Sequence, residues 1–186
     1  MYNYIFVDEG QDLSACEYEL LRKINPKASF NIFGDVAQNV TPWRGIHDWE
    51  KAFPNFAIYG LKQNYRNTNQ IVDFVSKSLH LDMESIGYDG PKVVKIQPRG
   101  ISGFFKEKKG LKALICSEEK KAEFLRKSYN DISVKGKISR SKINIMTVYE
   151  SKGLEFTSVV VVPEGMSNSE KYIAYTRALN ELAVIE

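Results

Sequence analysis

Short apolar runs alternate along this chain with segments of helical periodicity, and that alternation restricts its fold more than any other feature. The runs are continuous, as in strands buried within a parallel sheet. They lie at 4–7, 30–33, 112–116, 143–148 and 158–162. Segments with apolar residues at helical spacing lie at 15–24, 68–79, 117–129 and 167–179. The alternation predicts an α/β fold, a parallel sheet covered by helices on both faces.

Functional residues are expected at the carboxyl ends of these strands, where open parallel sheets bind their ligands. Asp8 and Glu9 follow the first predicted strand, and Asp35 follows the second. Asp12 or Ser14 can cap the helix that comes next. The first part of the chain therefore predicts strand, helix, strand, with acidic residues at the strand ends.

Five further elements have weaker patterns. A short helix is predicted at 46–52, and strands are predicted at 56–59, 92–97, 102–106 and 183–185. Ser117 is expected to cap the helix at 117–129.

Composition excludes a membrane-spanning protein, because no apolar run approaches the roughly 20 residues that such a helix needs. The N-terminus has no basic flank followed by a small-residue cleavage site, so we expect a cytoplasmic protein without a membrane partner. Cys16 and Cys116 lie in apolar contexts without a neighbouring Cys or His. Both are predicted to be buried free thiols.

The net charge of +3 conceals an asymmetry along the chain. Residues 1–60 contain 5 Lys/Arg and 8 Asp/Glu, whereas residues 61–186 contain 21 Lys/Arg and 15 Asp/Glu. This basic surplus is compatible with a phosphate-bearing partner, but composition alone favours a solvated basic surface.

The segment Val7-Asp8-Glu9-Gly10-Gln11-Asp12 places two adjacent carboxylates where a strand ends. In this geometry one carboxylate can hold a hydrated Mg²⁺ while its neighbour orients a water molecule. Solvated charges and a helix cap are the alternative interpretation of the same residues.

Five segments resemble motifs two to six of superfamily 1 helicases, in the order of that family. They are VDEGQD at 7–12, GDVAQNVTPWRG at 34–45, LKQNYRNT at 61–68, TVYESKGLEF at 147–156 and YIAYTRA at 172–178. Each segment alone would be weak, but five in order span nearly the whole chain. The chain resembles the UvrD/Rep branch of that superfamily.

The resemblance implies RecA-like lobes and a 3′–5′ DNA helicase that uses ATP and Mg²⁺ to move along single-stranded DNA. Residues 1–60 are expected to form a partial first lobe with motifs two and three. Residues 61–186 are expected to form a complete second lobe with motifs four to six. The interval between motifs four and five is short, so no large inserted accessory domain is expected.

The resemblance also implies roles in ATP hydrolysis. Asp8 looks like the magnesium ligand and Glu9 like the base that activates water. Gln38 looks like the sensor of the γ-phosphate. Arg66 and Arg177 match the two arginines that stabilise charge on the transferring phosphoryl group. Surface ion pairs are the structural alternative for both arginines.

Other motif positions match contacts to ATP. Glu155 corresponds to the ribose contact, and Lys152 and Gly153 to a place where the backbone can approach the nucleotide closely. Arg44 looks like a residue that couples the phosphate to the DNA strand.

Three positions resemble DNA contacts. Trp43 is suited to stacking on a base of a single strand, although a lone loop tryptophan is more often a packing residue. Thr147 corresponds to a backbone-phosphate contact, and Tyr149 also belongs to this set. Two departures weaken the match: Thr41 stands where an aromatic residue is common, and Tyr149 stands where His is usual.

The phosphate-binding sequence Gly-x-x-x-x-Gly-Lys-Ser/Thr is absent from the 186 residues. The chain is therefore predicted to be a fragment that is inactive by itself as an ATPase. Residues 1–60 are expected to lean on the second domain, to pair with a missing N-terminal ATP-binding part or to pair with another chain. The alternative function is a non-catalytic module that binds single-stranded DNA or a partner protein and retains relic ATPase residues.

Overall fold

The computed structural model describes residues 2–41, 43–129 and 132–186. The chain divides into two compact units, Met1–Gly60 and Leu61–Glu186, which are described separately. Pro42, part of the segment that resembles motif three, lies outside the described residues.

Among its described residues, the first unit contains two parallel strands and two α-helices. These elements are β1 (Tyr4–Val7), α1 (Ala15–Ile24), β2 (Ser29–Ile32) and α2 (Trp49–Ala52). One-turn 3₁₀ helices at Gly10–Asp12 and Val36–Gln38 follow the two strands. The strands pair in register, with Tyr4 opposite Ser29 and Val7 opposite Ile32.

Helix α1 begins at a capping box, which decides between the two predicted caps. The backbone N–H of Glu17 donates to the Ser14 hydroxyl, and the Glu17 carboxylate accepts from the Ser14 backbone N–H. Two of the donors that a helix start leaves unpaired are thereby satisfied. Ser14 rather than Asp12 is the cap.

The core of the first unit is small and largely aromatic. Val7, Tyr18, Ile46 and Phe53 are buried there, and the rings of Tyr18 and Phe53 meet edge to face at 4.8 Å. The Tyr18 hydroxyl donates to the Gly10 carbonyl at 2.7 Å. Burial also raises the pKa of Tyr18 to about 12. The core thus fixes the turn that follows Asp8 and Glu9.

Several sequence predictions for this unit are wrong. Residues 56–59 form no strand, and Tyr59 is 88% exposed, because no described strand lies beside this segment to pair with it. Cys16, predicted to be buried, is exposed, and the apolar residues Leu20 and Ile24 of α1 are exposed as well. With two described strands, the sheet covers one face of α1 and leaves these positions in solvent.

The second unit contains seven strands and five helices among its described residues. The strands are β3 (Gln63–Asn64), β4 (Glu84–Ser85), β5 (Val94–Ile96), β6 (Lys112–Cys116), β7 (Ile143–Thr147), β8 (Phe156–Val161) and β9 (Ala178–Ile185). The helices are α3 (Asn69–Leu79), α4 (Ile101–Phe105), α5 (Glu119–Ser128), α6 (Val148–Ser151) and α7 (Asn168–Thr176).

The main sheet of this unit has the order β5-β9-β8-β6-β7, and every pair is parallel. Strands β3 and β4 form a separate parallel pair. Residues 113–116 of β6 and 159–161 of β8 are fully buried, as the continuous apolar runs predicted. The predicted α/β fold with a parallel sheet flanked by helices is confirmed.

The second unit corrects three predicted elements. Residues 102–106 lie mostly in a helix, because Ile101 and Phe105 are one turn apart and both bury their side chains in the core. Ser117 does not cap α5, since its hydroxyl donates to the Glu164 carbonyl at 3.1 Å. The last strand begins at Ala178 rather than at 183.

Within the described ranges, no helix combines the length and apolar character needed to cross a membrane.

Candidate functional site

Two carboxylates stand at the carboxyl end of β1, as predicted. Asp8 and Glu9 are exposed, and the Glu9 backbone N–H donates to Asp8 Oδ1 at 2.9 Å. Glu9 has a φ of 51°, in the left-handed region that residues other than glycine rarely adopt. Such strain persists where surrounding contacts fix the backbone, and it is concentrated at functional sites.

A chain of hydrogen bonds leads from Glu9 to Gln38 inside the first unit. Gln11 Nε2 donates to Glu9 Oε2 at 2.7 Å, and Gln11 Oε1 accepts from the Asp35 backbone N–H at 3.0 Å. Gln38 Nε2 donates to Asp35 Oδ2 at 3.1 Å. The predicted base and the predicted phosphate sensor are therefore joined through Gln11 and Asp35.

Asn39 ties the loop after Gln38 to the same chain. Its buried amide donates to the carbonyls of Gln11 at 3.1 Å and Arg44 at 3.0 Å, and its oxygen accepts from the Thr41 N–H. Gly45 has a φ of +92°, and a Cβ there would lie 2.1 Å from the Gln11 carbonyl oxygen. The loop is thus closely packed on Gln11.

Trp43 extends from this anchored loop with 82% of its surface exposed. An indole ring in solvent on a fixed backbone can stack on a planar ligand at little conformational cost. The alternative was that Trp43 is a packing residue. Its ring is exposed rather than buried in the core, so that alternative does not hold.

Arg44 lies against helix α1. Its guanidinium forms an ion pair with Glu17, with Nη2 and Oε1 2.7 Å apart. Hydrogen bonds from the backbone and hydroxyl of Ser14, together with the bond from Arg44, lower the pKa of Glu17 to about 2. Arg44 therefore contacts a helix start, while its backbone carbonyl belongs to the Trp43 loop.

In the second unit, Arg66 and Glu155 form an ion pair, with Nε and Oε1 3.0 Å apart. Arg177 is 3% exposed, and its guanidinium donates to the carbonyls of Ile173 and Leu154, each at 3.3 Å. The structure therefore places Arg66 beside the predicted ribose contact. It buries Arg177 against the backbone just before that contact.

Asn67 connects the two arginine segments. Its buried amide donates to the carbonyls of Thr176 at 3.0 Å and Ala178 at 2.7 Å, on either side of Arg177. The Phe156 N–H donates to the Arg177 carbonyl at 2.9 Å. The Thr68 N–H also donates to the Leu179 carbonyl at 3.2 Å, so side-chain and backbone bonds together hold these distant segments.

The expected placement of functional residues at the carboxyl ends of strands holds for only part of the set. Asp8 and Asp35 follow β1 and β2, and Thr147 ends β7. Glu155 and Arg177, however, directly precede β8 and β9 and so lie at the amino ends of those strands. The expectation is wrong for them because the short helix α6 and helix α7 return the chain to the opposite edge before these residues.

The remaining predicted positions surround α6. Thr147 is 7% exposed and caps this helix, its hydroxyl accepting from the Glu150 N–H while Glu150 accepts from the Thr147 N–H. Tyr149 is half exposed, and Lys152 is partly exposed. Gly153 has a φ of +72° with open space where a Cβ would lie, so a ligand could approach its backbone.

Sequence reasoning missed the roles of Gln11, Asn39 and Asn67. All three are buried amides that pair with backbone groups. The sequence did contain a signal for these three residues, because each lies inside a motif-like segment, next to or near a charged residue. A neutral amide can both donate and accept, which suits a residue that joins two segments.

The carboxylates at the end of β1 suit a magnesium ion better than a metal that takes all of its ligands from the protein. Among the described residues, no three His, Cys, Asp or Glu side chains form a metal-binding group. Mg²⁺ is commonly held by one or two carboxylates together with water and substrate phosphates. The exposed carboxylate of Asp8 meets that requirement.

The family described as the viral superfamily 1 RNA helicase core domain matches residues 1–186. The ATP-dependent DNA helicase Rep of Buchnera aphidicola subsp. Schizaphis graminum is 34% identical over 88 residues, 42% of this chain and 13% of that protein. The ATP-dependent DNA helicase PcrA of Bacillus subtilis is 35% identical over 77 residues, 38% of this chain and 10% of that protein. The chain thus matches only a small part of each relative's length.

Solved helicases have a similar fold. Arterivirus nonstructural protein 10, a helicase solved in complex with DNA, has a TM-score of 0.61 at 19% identity and covers 100% of this chain and 40% of its own. The PRRSV helicase has a TM-score of 0.59 at 15% identity and covers 97% of this chain and 34% of its own. At these identities the likeness shows the fold alone. The family match along the whole chain, together with the Rep and PcrA relatives, shows that the chain belongs to the superfamily 1 helicase core family and is of the UvrD/Rep type.

Proposed function

We propose that this chain is part of a cytoplasmic ATP-dependent helicase that couples ATP hydrolysis to 3′–5′ movement on single-stranded DNA. In this proposal residues 1–60 are a partial first RecA-like lobe and residues 61–186 are the second lobe. The Rep and PcrA relatives, named as ATP-dependent DNA helicases, support ATP and DNA as the ligands.

The observation that carries the proposal is the hydrogen-bonded chain from Glu9 through Gln11 and Asp35 to Gln38. It joins a carboxylate suited to proton transfer with an amide suited to contact a phosphate oxygen. Asn39 then ties the same residues to the loop of Trp43. A shift of Gln38 or Gln11 can therefore reach an exposed indole ring through direct contacts.

In the proposed mechanism, Asp8 would hold magnesium, which would supply positive charge to the phosphates. Glu9 accepts a proton at its carboxylate from the attacking water, and Gln38 orients that water and a phosphate oxygen. The Gln11 amide restrains the Glu9 carboxylate, because Gln11 Nε2 donates to Glu9 Oε2.

The second unit is proposed to contribute positive charge and the ribose contact. Arg66 is half exposed and already oriented by Glu155, so it can exchange this partner for a phosphoryl oxygen. Arg177 is buried in the described arrangement, so its proposed contact with the phosphoryl group requires its side chain to turn outward. When Arg66 leaves its ion pair, the Glu155 carboxylate becomes available to bind the ribose.

DNA contacts are proposed for Trp43, Thr147 and Tyr149. The exposed Trp43 ring stacks on a base, while Thr147 and the half-exposed Tyr149 lie around the carboxyl end of β7. The backbone at Gly153 and the positively charged side chain of Lys152 are proposed to lie close to the nucleotide.

Residues 1–60 are also proposed to pair with further strands, either from the same protein or from another chain. Within the described residues β1 pairs with β2 alone, and Tyr4 and Phe6 expose 67% and 68% of their surfaces on one face. A strand edge and an aromatic face in solvent favour such pairing.

Trp43→Ala should weaken the binding of a single-stranded oligonucleotide by about 5- to 150-fold, since stacking on an aromatic contributes about 1–3 kcal/mol per base. Fluorescence anisotropy with a labelled oligothymidine measures this change. Tyr59→Ala is the matched control, because it removes another exposed aromatic ring from the same unit. Equal losses in both variants would contradict the assignment to Trp43. Tighter binding of the equivalent RNA would overturn the choice of DNA.

The 186-residue chain by itself should show no ATP turnover above background, because its sequence contains no phosphate-binding loop. A coupled assay of ADP release, with and without single-stranded DNA, tests this expectation. DNA-stimulated turnover that Glu9→Gln abolishes would show that the chain is an active ATPase and that the fragment interpretation is wrong.

A further inference from the structure

Two basic segments of the second unit meet at one edge of its main sheet. Residues 106–112 lead into β6, and residues 132–142 lead into β7. The two strands are parallel neighbours, with Lys112 opposite Ile143. Both segments therefore lie at the amino ends of their strands. We call their basic residues the amino-edge patch, which comprises Lys106, Lys109, Lys112, Lys137, Arg140 and Lys142.

The patch has a large excess of positive charge. The two segments contain eight Lys/Arg and one acidic residue, Glu107. Lys108 forms an ion pair with Glu181, and Lys135 forms one with Glu119. In the ranges 2–41, 43–129 and 132–186, no acidic side chain lies within ion-pair distance of the six patch residues. Such uncompensated charge attracts a polyanion.

The backbone of the patch is held in place by a buried amide. Asn144 is 1% exposed, and its Nδ2 donates to the carbonyls of Lys112 and Ser139, each at 2.9 Å. Its Oδ1 accepts from the Ser139 N–H at 2.8 Å. One side chain thus joins the backbones of the two basic segments.

Close packing also fixes the first segment. Gly110 has a φ of +83°, and a Cβ there would lie 2.3 Å from Thr157 Oγ1. The lysines on either side of this glycine are therefore anchored to the start of β8. A rigid basic surface loses less conformational freedom on binding than a flexible one does.

We propose that the amino-edge patch binds the phosphate backbone of a nucleic-acid duplex. Neither segment contains an aromatic residue. Because unspecific single-strand sites combine positive charge with aromatic stacking, a patch with charge alone suits a backbone whose bases are already paired. The patch also lies at the opposite end of β7 from Thr147, about 13 Å away at the rise of a strand. It is thus a second contact, separate from the proposed single-strand residues.

The test uses the 186-residue chain and a variant with Lys137→Gln, Arg140→Gln and Lys142→Gln. Binding of a blunt, labelled 20-base-pair DNA duplex is measured between 50 and 200 mM salt. Each duplex phosphate that a protein contacts contributes about 0.9 to the slope of log affinity against log salt. We expect the variant to bind the duplex at least tenfold more weakly at low salt, with a slope smaller by about 2 to 3.

The matched control removes three exposed lysines elsewhere, with Lys27→Gln, Lys77→Gln and Lys92→Gln. It should keep the parent slope, and a patch variant with Lys137→Arg and Lys142→Arg should keep full affinity. Circular dichroism and thermal unfolding establish that every variant is folded.

Four results would overturn the proposal. The first is unchanged duplex binding in the patch variant, and the second is an equal loss in the control variant. The third is equal or tighter binding of poly-glutamate, which would indicate an acidic protein as partner. Single-strand binding through Trp43 is measured in parallel, so failure of the patch proposal remains distinguishable from failure of the proposed function. A loss of single-strand binding as large as the duplex loss would overturn the assignment to a duplex.

Discussion

Asn67→Ala is expected to lower the free energy of unfolding of residues 61–186 by about 2–4 kcal/mol. The Asn67 amide is buried and satisfies two backbone carbonyls, those of Thr176 and Ala178, that surround Arg177. Alanine leaves both carbonyls without this donor in a site that excludes water, and a buried acceptor without a partner costs about 1–3 kcal/mol. Urea unfolding followed by far-ultraviolet circular dichroism measures the loss.

Hydrogen exchange locates the effect of the same substitution. The Phe156 N–H, which donates to the Arg177 carbonyl, should exchange faster in Asn67→Ala, because the segment that Asn67 holds is released. Asn168→Ala is the control, since Asn168 is exposed and its replacement should change stability by less than about 0.5 kcal/mol. If both variants unfold at the same urea concentration as the parent chain, Asn67 does not hold the arginine segments together.

Gln11→Ala is expected to destabilise residues 1–60 by about 2–3 kcal/mol. Its side chain is fully buried and bonds to the Glu9 carboxylate and the Asp35 backbone N–H, so alanine removes two hydrogen bonds and leaves a small void. Both tryptophans, Trp43 and Trp49, lie in this unit. Tryptophan fluorescence during urea unfolding therefore reports on the first unit alone.

Asn31→Ala provides the control for Gln11→Ala, because Asn31 is an exposed amide on β2. It should shift the fluorescence transition by less than about 0.5 kcal/mol. Equal midpoints for Gln11→Ala and the parent chain would show that the connection from Glu9 to Asp35 contributes nothing to the fold. The hydrogen-bonded chain would then lose its place as the main support for the proposed function.

Under the proposed function, the ion pair between Arg66 and Glu155 would orient the arginine before a nucleotide binds. Both side chains remain partly exposed, so the pair itself contributes little to stability. The ion pair instead orients the Arg66 side chain, because Glu155 holds a guanidinium that would otherwise sample many conformations. Asn67 fixes the backbone one residue later, so Arg66 is constrained through both its side chain and its neighbour.

The sequence was informative wherever a local pattern had one physical solution. The runs at 112–116 and 158–162 are too short and too apolar for exposed helices, and they form β6 and most of β8. Ser14 followed by Glu17 gives a capping box, because the reciprocal bonds need only residues three apart. The order of the five motif-like segments was sufficient to identify the helicase family.

Predictions failed where a distant partner decides the outcome. Residues 56–59 have strand-like composition but no neighbouring strand, and Leu20 and Ile24 have helical spacing but no described layer to cover them. Residues 102–106 contain two aromatic residues typical of strands, yet the burial of Ile101 and Phe105 on one side selects a helix. Local propensity is weak compared with burial, so tertiary contacts override it.

For this protein, the sequence by itself determined the α/β class and the alternation of strands with helices that implies a parallel sheet. Tertiary structure alone decided that Gln11 joins Glu9 to Asp35, that Asn67 holds the backbone around Arg177 and that two basic segments meet at Asn144. The reason is physical: apolar periodicity is a local property of a chain. A buried amide, by contrast, acquires its role only from the distant backbone groups that folding brings within hydrogen-bonding distance.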